Sequence, residues 1–148
     1  MTVGDPDAFI RDHTTVASPP LVPELRLHLA TEITPMWQAT EDWLSKQGIE
    51  PPYWAFPWAG GQALARYVLD HPSLVRGVSV LDFGAGSGLV AIAAARCGAH
   101  VTAADLDPLA GSAIALNAAL NGVEVDVSID DAIERDGPWS MVLAGDMF

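Results

Sequence analysis

The chain has one cysteine, Cys97, and one lysine, Lys46. A single cysteine excludes an internal disulfide and any cysteine-built metal site, which makes a reducing, cytoplasmic setting the default expectation. The 4 histidines (His13, His28, His71 and His100) lack metal-ligand spacing, so no metal is expected. Cationic side chains are scarce, with 7 Lys and Arg against 19 Asp and Glu and a formal charge of −12. Without a basic patch to neutralise phosphates, nucleic-acid binding is not expected. No apolar run approaches the roughly 20 residues of a membrane span. Asp5, Asp7 and Asp12 stand where a signal peptide would be basic. Neither a membrane partner nor a leader is expected.

What is present suits a folded domain. Of the 148 residues, 50% are hydrophobic and 18% charged, enough for one real core. An acidic surface attracts cationic partners, but it also serves plain solubility, and composition leaves both open.

Residues 1–20 read as irregular. From Pro23 to Gln47, Leu25, Leu29 and Ile33, then Trp37, Thr40 and Leu44, recur at helical spacing. Pro35 divides that span into two helices. These residues, 1–50, form an N-terminal helical extension. Pro51-Pro52 opens a tryptophan-rich stretch, "PPYWAFPWAGGQALARYVLDHP", whose second half, Gly61 to Asp70, is helical with Leu64, Tyr67 and Val68 on one face. After Gly77 strands and helices alternate. "VSVLDF" is a strand, Leu89 to Cys97 a helix, "HVTAAD" a strand and Pro108 to Asn121 a helix. "VEVDVSI" is a strand, Asp131 to Arg135 a short helix or turn, and "WSMVLAG" a fourth, buried strand. That alternation predicts an α/β domain, residues 51–148, with a Rossmann-like parallel sheet.

Between the first of these strands and its helix lies "GAGSG". Gly84, Gly86 and Gly88 supply positive φ and let a backbone approach a ligand without a Cβ in the way. The next strand ends in Asp105, where a carboxylate can accept both hydroxyls of a ribose. Dinucleotides and S-adenosylmethionine both fit such a turn. A dinucleotide turn needs its third glycine one residue later, where Leu89 stands. Asp82 would meet an ammonium group well and would repel a pyrophosphate, which favours S-adenosylmethionine.

"VLDFGAGSG", "AADLDPLA" and "LNAALNG" resemble consecutive motifs of the class I, seven-strand methyltransferases, in the branch of ribosomal protein L11 methyltransferase and the family-16 protein methyltransferases. "PPYWAFPWAGGQALARYVLDHP", "LAGDMF" and the upstream "LVPELRLHLATEITPMWQATEDWL" resemble the group that methylates lysine in electron transfer flavoprotein β subunit. The resemblance covers residues 8–148.

It implies S-adenosyl-L-methionine as cofactor and a protein lysine as acceptor. Gly84, Gly86 and Gly88 would wrap the methionine moiety, with Asp82 near its amino group and Asp105 on the ribose. Asp131 would contact the adenine amine, with Asp130 as the competing choice. Trp58 and Gln62 would border the cofactor. Asp107 reads better as the cap of the following helix than as a ligand. Asp146 in "GDMF" would be the catalytic residue, orienting the acceptor's ammonium. The group carries three further strands after this point, so the sequence reads as cut after the fourth, with that strand an open edge available for pairing. A small-molecule N-methyltransferase, or a cofactor-binding fragment without turnover, shares the same motifs.

Overall fold

The computed structural model describes residues 4–30, Lys46, Gly48, 51–133 and 135–147. Its centre is a parallel four-stranded sheet of β3 (Ser79–Phe83), β4 (His100–Ala104), β5 (Asp126–Ser128) and β6 (Met141–Leu143), in the order β5-β4-β3-β6. Val80 pairs with Val101 on one side and Met141 on the other, so β3 is central. The alternation expected from the sequence is present, and the strands run parallel as a Rossmann-like sheet requires.

Helices α3 (Leu89–Arg96) and α4 (Pro108–Leu120) pack against the strands of the sheet, and α2 (Ala59–Asp70) packs on α3. Every residue of α3 from Leu89 to Ala94 is buried. Its alanines let the backbone lie close to β3, β4 and α2. Asp107 caps α4 by accepting the Leu109 N–H at 2.8 Å, as expected. Strand β6 is shorter than "WSMVLAG" and is not buried throughout, since Val142 is 60% exposed. Along α2, Ala65 and Val68 are buried, while Tyr67 is 53% exposed with its ring tilted against that of His71.

The N-terminal segment corrects two expectations. Residues read as irregular contain α1 (Pro6–His13), with Pro6 in its first turn and Asp5 capping the Asp7 and Ala8 amides. Residues 23–29, read as helical, form turns and then strand β2 (Leu27–Leu29), antiparallel to β1 (Thr15–Ala17). The Leu25–Leu29 spacing fits a period of two as well as a helical turn. Leu25, Leu27 and Leu29 are all buried. The segment is held extended from outside. Asn117 and Asn121, one turn apart on α4, offer their amides to it. Asn121 accepts the Arg26 N–H at 3.0 Å and donates to the Arg26 carbonyl at 2.7 Å. Asn117 accepts the His28 N–H at 2.8 Å. The remainder of the two expected helices, with Pro35, Trp37 and Trp43, lies outside the described residues.

Asn117 is fully buried, and its amide also donates to the Ser87 carbonyl at 2.8 Å. One side chain thus ties β2, α4 and the glycine turn together. Asn117→Ala leaves the buried His28 N–H and Ser87 carbonyl unpaired and should cost about 2–4 kcal/mol. Asn121→Ala, at a more exposed bond, should cost about 1 kcal/mol or less. Urea melts of both variants check this; equal losses would show that Asn117 is not the tie.

Candidate functional site

The carboxyl ends of the four strands open onto a cleft of about 880 Å³. Gly84 and Gly86 line one wall; Gly88, expected beside them, does not line the cleft and instead starts α3, and the three have φ of 66°, 55° and 82°. All three lie in the left-handed region, which side chains other than glycine adopt only with strain. Gly88 caps α3, and a Cβ on it would press on Ile114 at 3.2 Å.

Asp82, at the end of β3, is 2% exposed. One oxygen accepts the Ala91 N–H at 2.9 Å, in the first turn of α3. The other takes no hydrogen bond among the described residues, and Asp82 lines the cleft. Burial pushes its carboxyl up to about 7; the Ala91 bond lowers it, and the Asp105 charge raises it further. The Trp54 indole N–H, on another part of the wall, is buried without an acceptor among the described residues. A carboxylate oxygen and an N–H that both lack partners, beside a glycine cradle, fit a ligand with both donors and acceptors.

Asp105 supports the turn as well as facing the cleft. Its oxygens accept the Gly86 N–H at 2.9 Å and the Asp107 N–H at 3.0 Å. A carboxylate has about four acceptor sites, so capacity remains for ligand hydroxyls. After β5, Asp130 and Asp131 both line the cleft. Asp130 pairs with Arg135 at 3.2 Å. Asp131 accepts the Ile133 N–H at 2.9 Å and has no cationic partner among the described residues.

Beyond β6, Asp146 does something the sequence did not announce. Its two oxygens accept the Gly60 N–H at 2.8 Å and the Gly61 N–H at 2.6 Å. These are unpaired amides of the first turn of α2, where the helix dipole favours an anion. Side chains would not fit there. A Cβ on Gly60 would strike the Asp146 carboxylate, and one on Gly145 would lie 2.9 Å from the Gly61 Cα. Asp146 therefore latches α2 to the end of β6 while still lining the cleft.

Trp58 is 45% exposed and lines the cleft. Gln62 does not. Its amide is used within the protein, accepting the Leu21 N–H at 3.0 Å and donating to the Pro57 carbonyl. It sits on the buried side of α2, and so braces the segment that carries Trp58 instead of bordering the cleft. Tyr53, Leu106, Ile133 and Met147 line the cleft without having been singled out in the sequence. Each adjoins a motif residue, and that adjacency was the available signal.

Six carboxylates line the cleft (Asp82, Asp105, Asp107, Asp130, Asp131 and Asp146), and no Lys, Arg or His does so among the described residues. Such a cleft attracts cations and repels phosphates.

Residues 62–144 match the ribosomal protein L11 methyltransferase (PrmA) family. The chain is similar to the electron transfer flavoprotein beta subunit lysine methyltransferase of Xenopus laevis, with 48% identity covering 97% of this chain and 58% of that protein. Its similarity to the Homo sapiens protein of the same name is 45%, over 97% and 56%. The chain thus spans little more than half the length of these curated relatives. Among solved structures it resembles a ribosomal protein L11 methylase from Lactobacillus delbrueckii subsp. bulgaricus, with 33% identity, a TM-score of 0.50, and 57% and 45% of the two chains covered. No helix among the described residues is long and apolar enough to cross a membrane.

Two stability outcomes follow from this geometry. Asp82 ionises near 7 when folded, against an ordinary 3.8. Between those values the unfolded chain binds fewer protons, so stability falls as pH rises from about 4 to about 7 and is flat above. Asp82→Asn keeps an acceptor for Ala91 and abolishes the buried charge. It should stabilise the ligand-free protein at pH 8, by at most about 4 kcal/mol, with the gain shrinking toward pH 4. A pH-independent gain in thermal melts would contradict this origin. For the latch, Gly60→Ala and Asp146→Ala should each cost about 1–2 kcal/mol. The double variant should lose less than their sum, because both break one contact. Fully additive losses in urea melts would refute a shared latch.

Proposed function

The chain belongs to the ribosomal protein L11 methyltransferase (PrmA) family, and on that premise we propose that its cleft binds S-adenosylmethionine and serves methyl transfer to a lysine amine of a protein. The observation that carries this reading is the row of carboxylates. Asp130 and Asp131 follow β5, Asp105 follows β4, Asp82 ends β3 and Asp146 follows β6, in the order of the sheet. Adjacent strands lie about 4.8 Å apart, so the row spans about 14 Å. That suits a nucleoside joined to an amino acid, laid across the strand ends with a cationic centre toward β6.

When bound, S-adenosylmethionine supplies an electrophilic methyl group on a sulfonium. The chain's own residues do the rest. Asp131 takes the adenine amine, with Asp130 beside it held by Arg135. Asp105 accepts the ribose hydroxyls while anchoring the Gly86 amide. Asp82 faces the ammonium of the amino-acid end through its unpartnered oxygen. Gly86 keeps its part of the wall free of a Cβ, Gly84 leaves room for the Met147 side chain that packs on it, and Trp58 borders the same cleft. Asp146 has two acceptor sites left after latching α2, enough to orient an arriving lysine ammonium. A lysine amine ordinarily holds its proton to about 10.4. Desolvation of the amine in the cleft would lower that value against the pull of the carboxylates, the proton leaving to water, so that the neutral amine could attack.

The names of the relatives point to electron transfer flavoprotein β subunit as the acceptor, and a lysine-bearing protein matches the acidic cleft. A phosphate-rich nucleic acid does not. A reducing cytoplasm belongs to the same reading, supported by Cys97 as the only cysteine.

Calorimetry with S-adenosylhomocysteine tests the cofactor assignment. The ligand's ammonium stabilises ionised Asp82, so binding should release a proton. Affinity should rise about eightfold from pH 6 to pH 7.5. Asp82→Asn should bind weakly without that pH dependence, and Asp105→Ala should lose tenfold or more. Absence of binding, or pH-independent binding by the unaltered chain, would overturn the assignment.

A further inference from the structure

We propose that Tyr53 and Trp58 form the acceptor port of the cleft, receiving the alkyl stem and ammonium of the incoming lysine against their ring faces. The inference rests on the lysine-methylation reading and specifies where its substrate arrives.

Both rings belong to the segment that leads into α2, and both line the cleft beside Gly61 and Asp146. They are unusually exposed for aromatics, at 62% for Tyr53 and 45% for Trp58. Aromatic side chains of that size are ordinarily buried, and exposed pairs at a cleft mouth point to a contact surface.

The pair is preorganised. The Trp58 indole N–H donates to the Tyr53 carbonyl at 2.9 Å. The edge of the indole is therefore engaged within the protein, and its contribution to a ligand must come through the ring face. The two ring centroids lie 6.3 Å apart at an interplanar angle of 50°. One cation can then stand within about 6 Å of both centroids. Phe56 packs against Trp58 at 5.8 Å and backs the ring. Trp58 also caps α2, whose first turn is latched by Asp146. The port is thus fixed to the β6 end of the carboxylate row, the end at which the cofactor reading needs its acceptor.

Charge decides the occupant. The cleft wall has six carboxylates and no cation among the described residues. An anionic or neutral side chain gains nothing from this field, and a lysine gains from both the field and the ring faces. Four methylene groups of the stem match the apolar rim.

The test uses the isotope-labelled chain saturated with S-adenosylhomocysteine. Nα-acetyl-lysine methylamide is the probe, with the norleucine analogue as its uncharged control. The lysine probe should shift the Trp58 indole and Tyr53 ring resonances, and the norleucine analogue should do so at least twofold more weakly. Trp58→Leu should weaken the lysine probe two- to fivefold. Trp58→Phe, which keeps a ring face, should recover most of that loss. Equal binding of both probes overturns the port, as does unchanged lysine affinity in Trp58→Leu. Shifts confined to residues away from Tyr53 and Trp58 do the same. Calorimetry reports the cofactor separately. If S-adenosylhomocysteine fails to bind, the cofactor reading falls and the port with it; if it binds and the lysine probe misses the rings, only the port falls.

Discussion

The contact on which the cleft depends is that of the Asp146 carboxylate with the Gly60 and Gly61 amides. It joins positions 85 and 86 residues apart in the chain. It fixes α2 against the edge of the sheet, and α2 in turn packs on α3. Helix α3 begins at Gly88, where the glycine turn ends. The wall bearing Trp58 and the wall bearing Gly84 and Gly86 are therefore set at a definite separation. The glycines of "AGGQ" serve this closeness, since a methyl on Gly60 would occupy the place of the carboxylate. They look like a second ligand-binding turn in the sequence, but their work is packing at a helix start.

The same carboxylate illustrates why burial and charge must be weighed together. Asp146 is satisfied by two N–H groups and the positive end of a helix dipole, which offset the cost of holding an anion there. Asp82 has a single such bond and is almost wholly buried. Its carboxyl is driven to about 7, so the ligand-free protein holds it at a cost in stability. A buried, under-satisfied carboxylate inside an otherwise close-packed strand end is poor design for stability alone. It becomes useful when a cation arrives to complete it.

Much of the fold was legible because its signals are local. A buried parallel strand leaves a short, largely apolar run, as in "VSVL", and a strand-to-helix turn with positive φ leaves glycines at fixed places. The carboxylates at the strand ends were legible for the same reason, since each lies within three residues of the end of its strand. What misled was a spacing shared by two structures. Leu25 and Leu29 fit a helix and a strand equally, and the tie was broken by Asn117 and Asn121, some ninety residues away. The helix at Pro6 carries a readable start in Asp5-Pro6, but no apolar residue extends its buried face beyond Ile10.

The site shows a further division. Residue types and positions named candidates, but partners decided their roles. Gln62 faces inward because the Leu21 amide and the Pro57 carbonyl claim both ends of its side chain. Asn117 is buried because three segments need one two-sided hydrogen-bonding group where they meet. Both roles are set by contacts across the chain, which no pattern along it encodes. The acceptor end behaves likewise. A tryptophan in a Trp-rich stretch reads as core, and Trp54 is core at 1% exposure. Trp58, four residues on, is turned outward by the bond of its indole to the Tyr53 carbonyl and by its place at the head of a latched helix. Exposure of so much apolar surface has a hydrophobic cost, about 25 cal/mol for each Å² left in water. A structure that holds two aromatic faces in water by a specific hydrogen bond, beside a row of carboxylates, is arranged to have that surface covered by something both apolar and cationic.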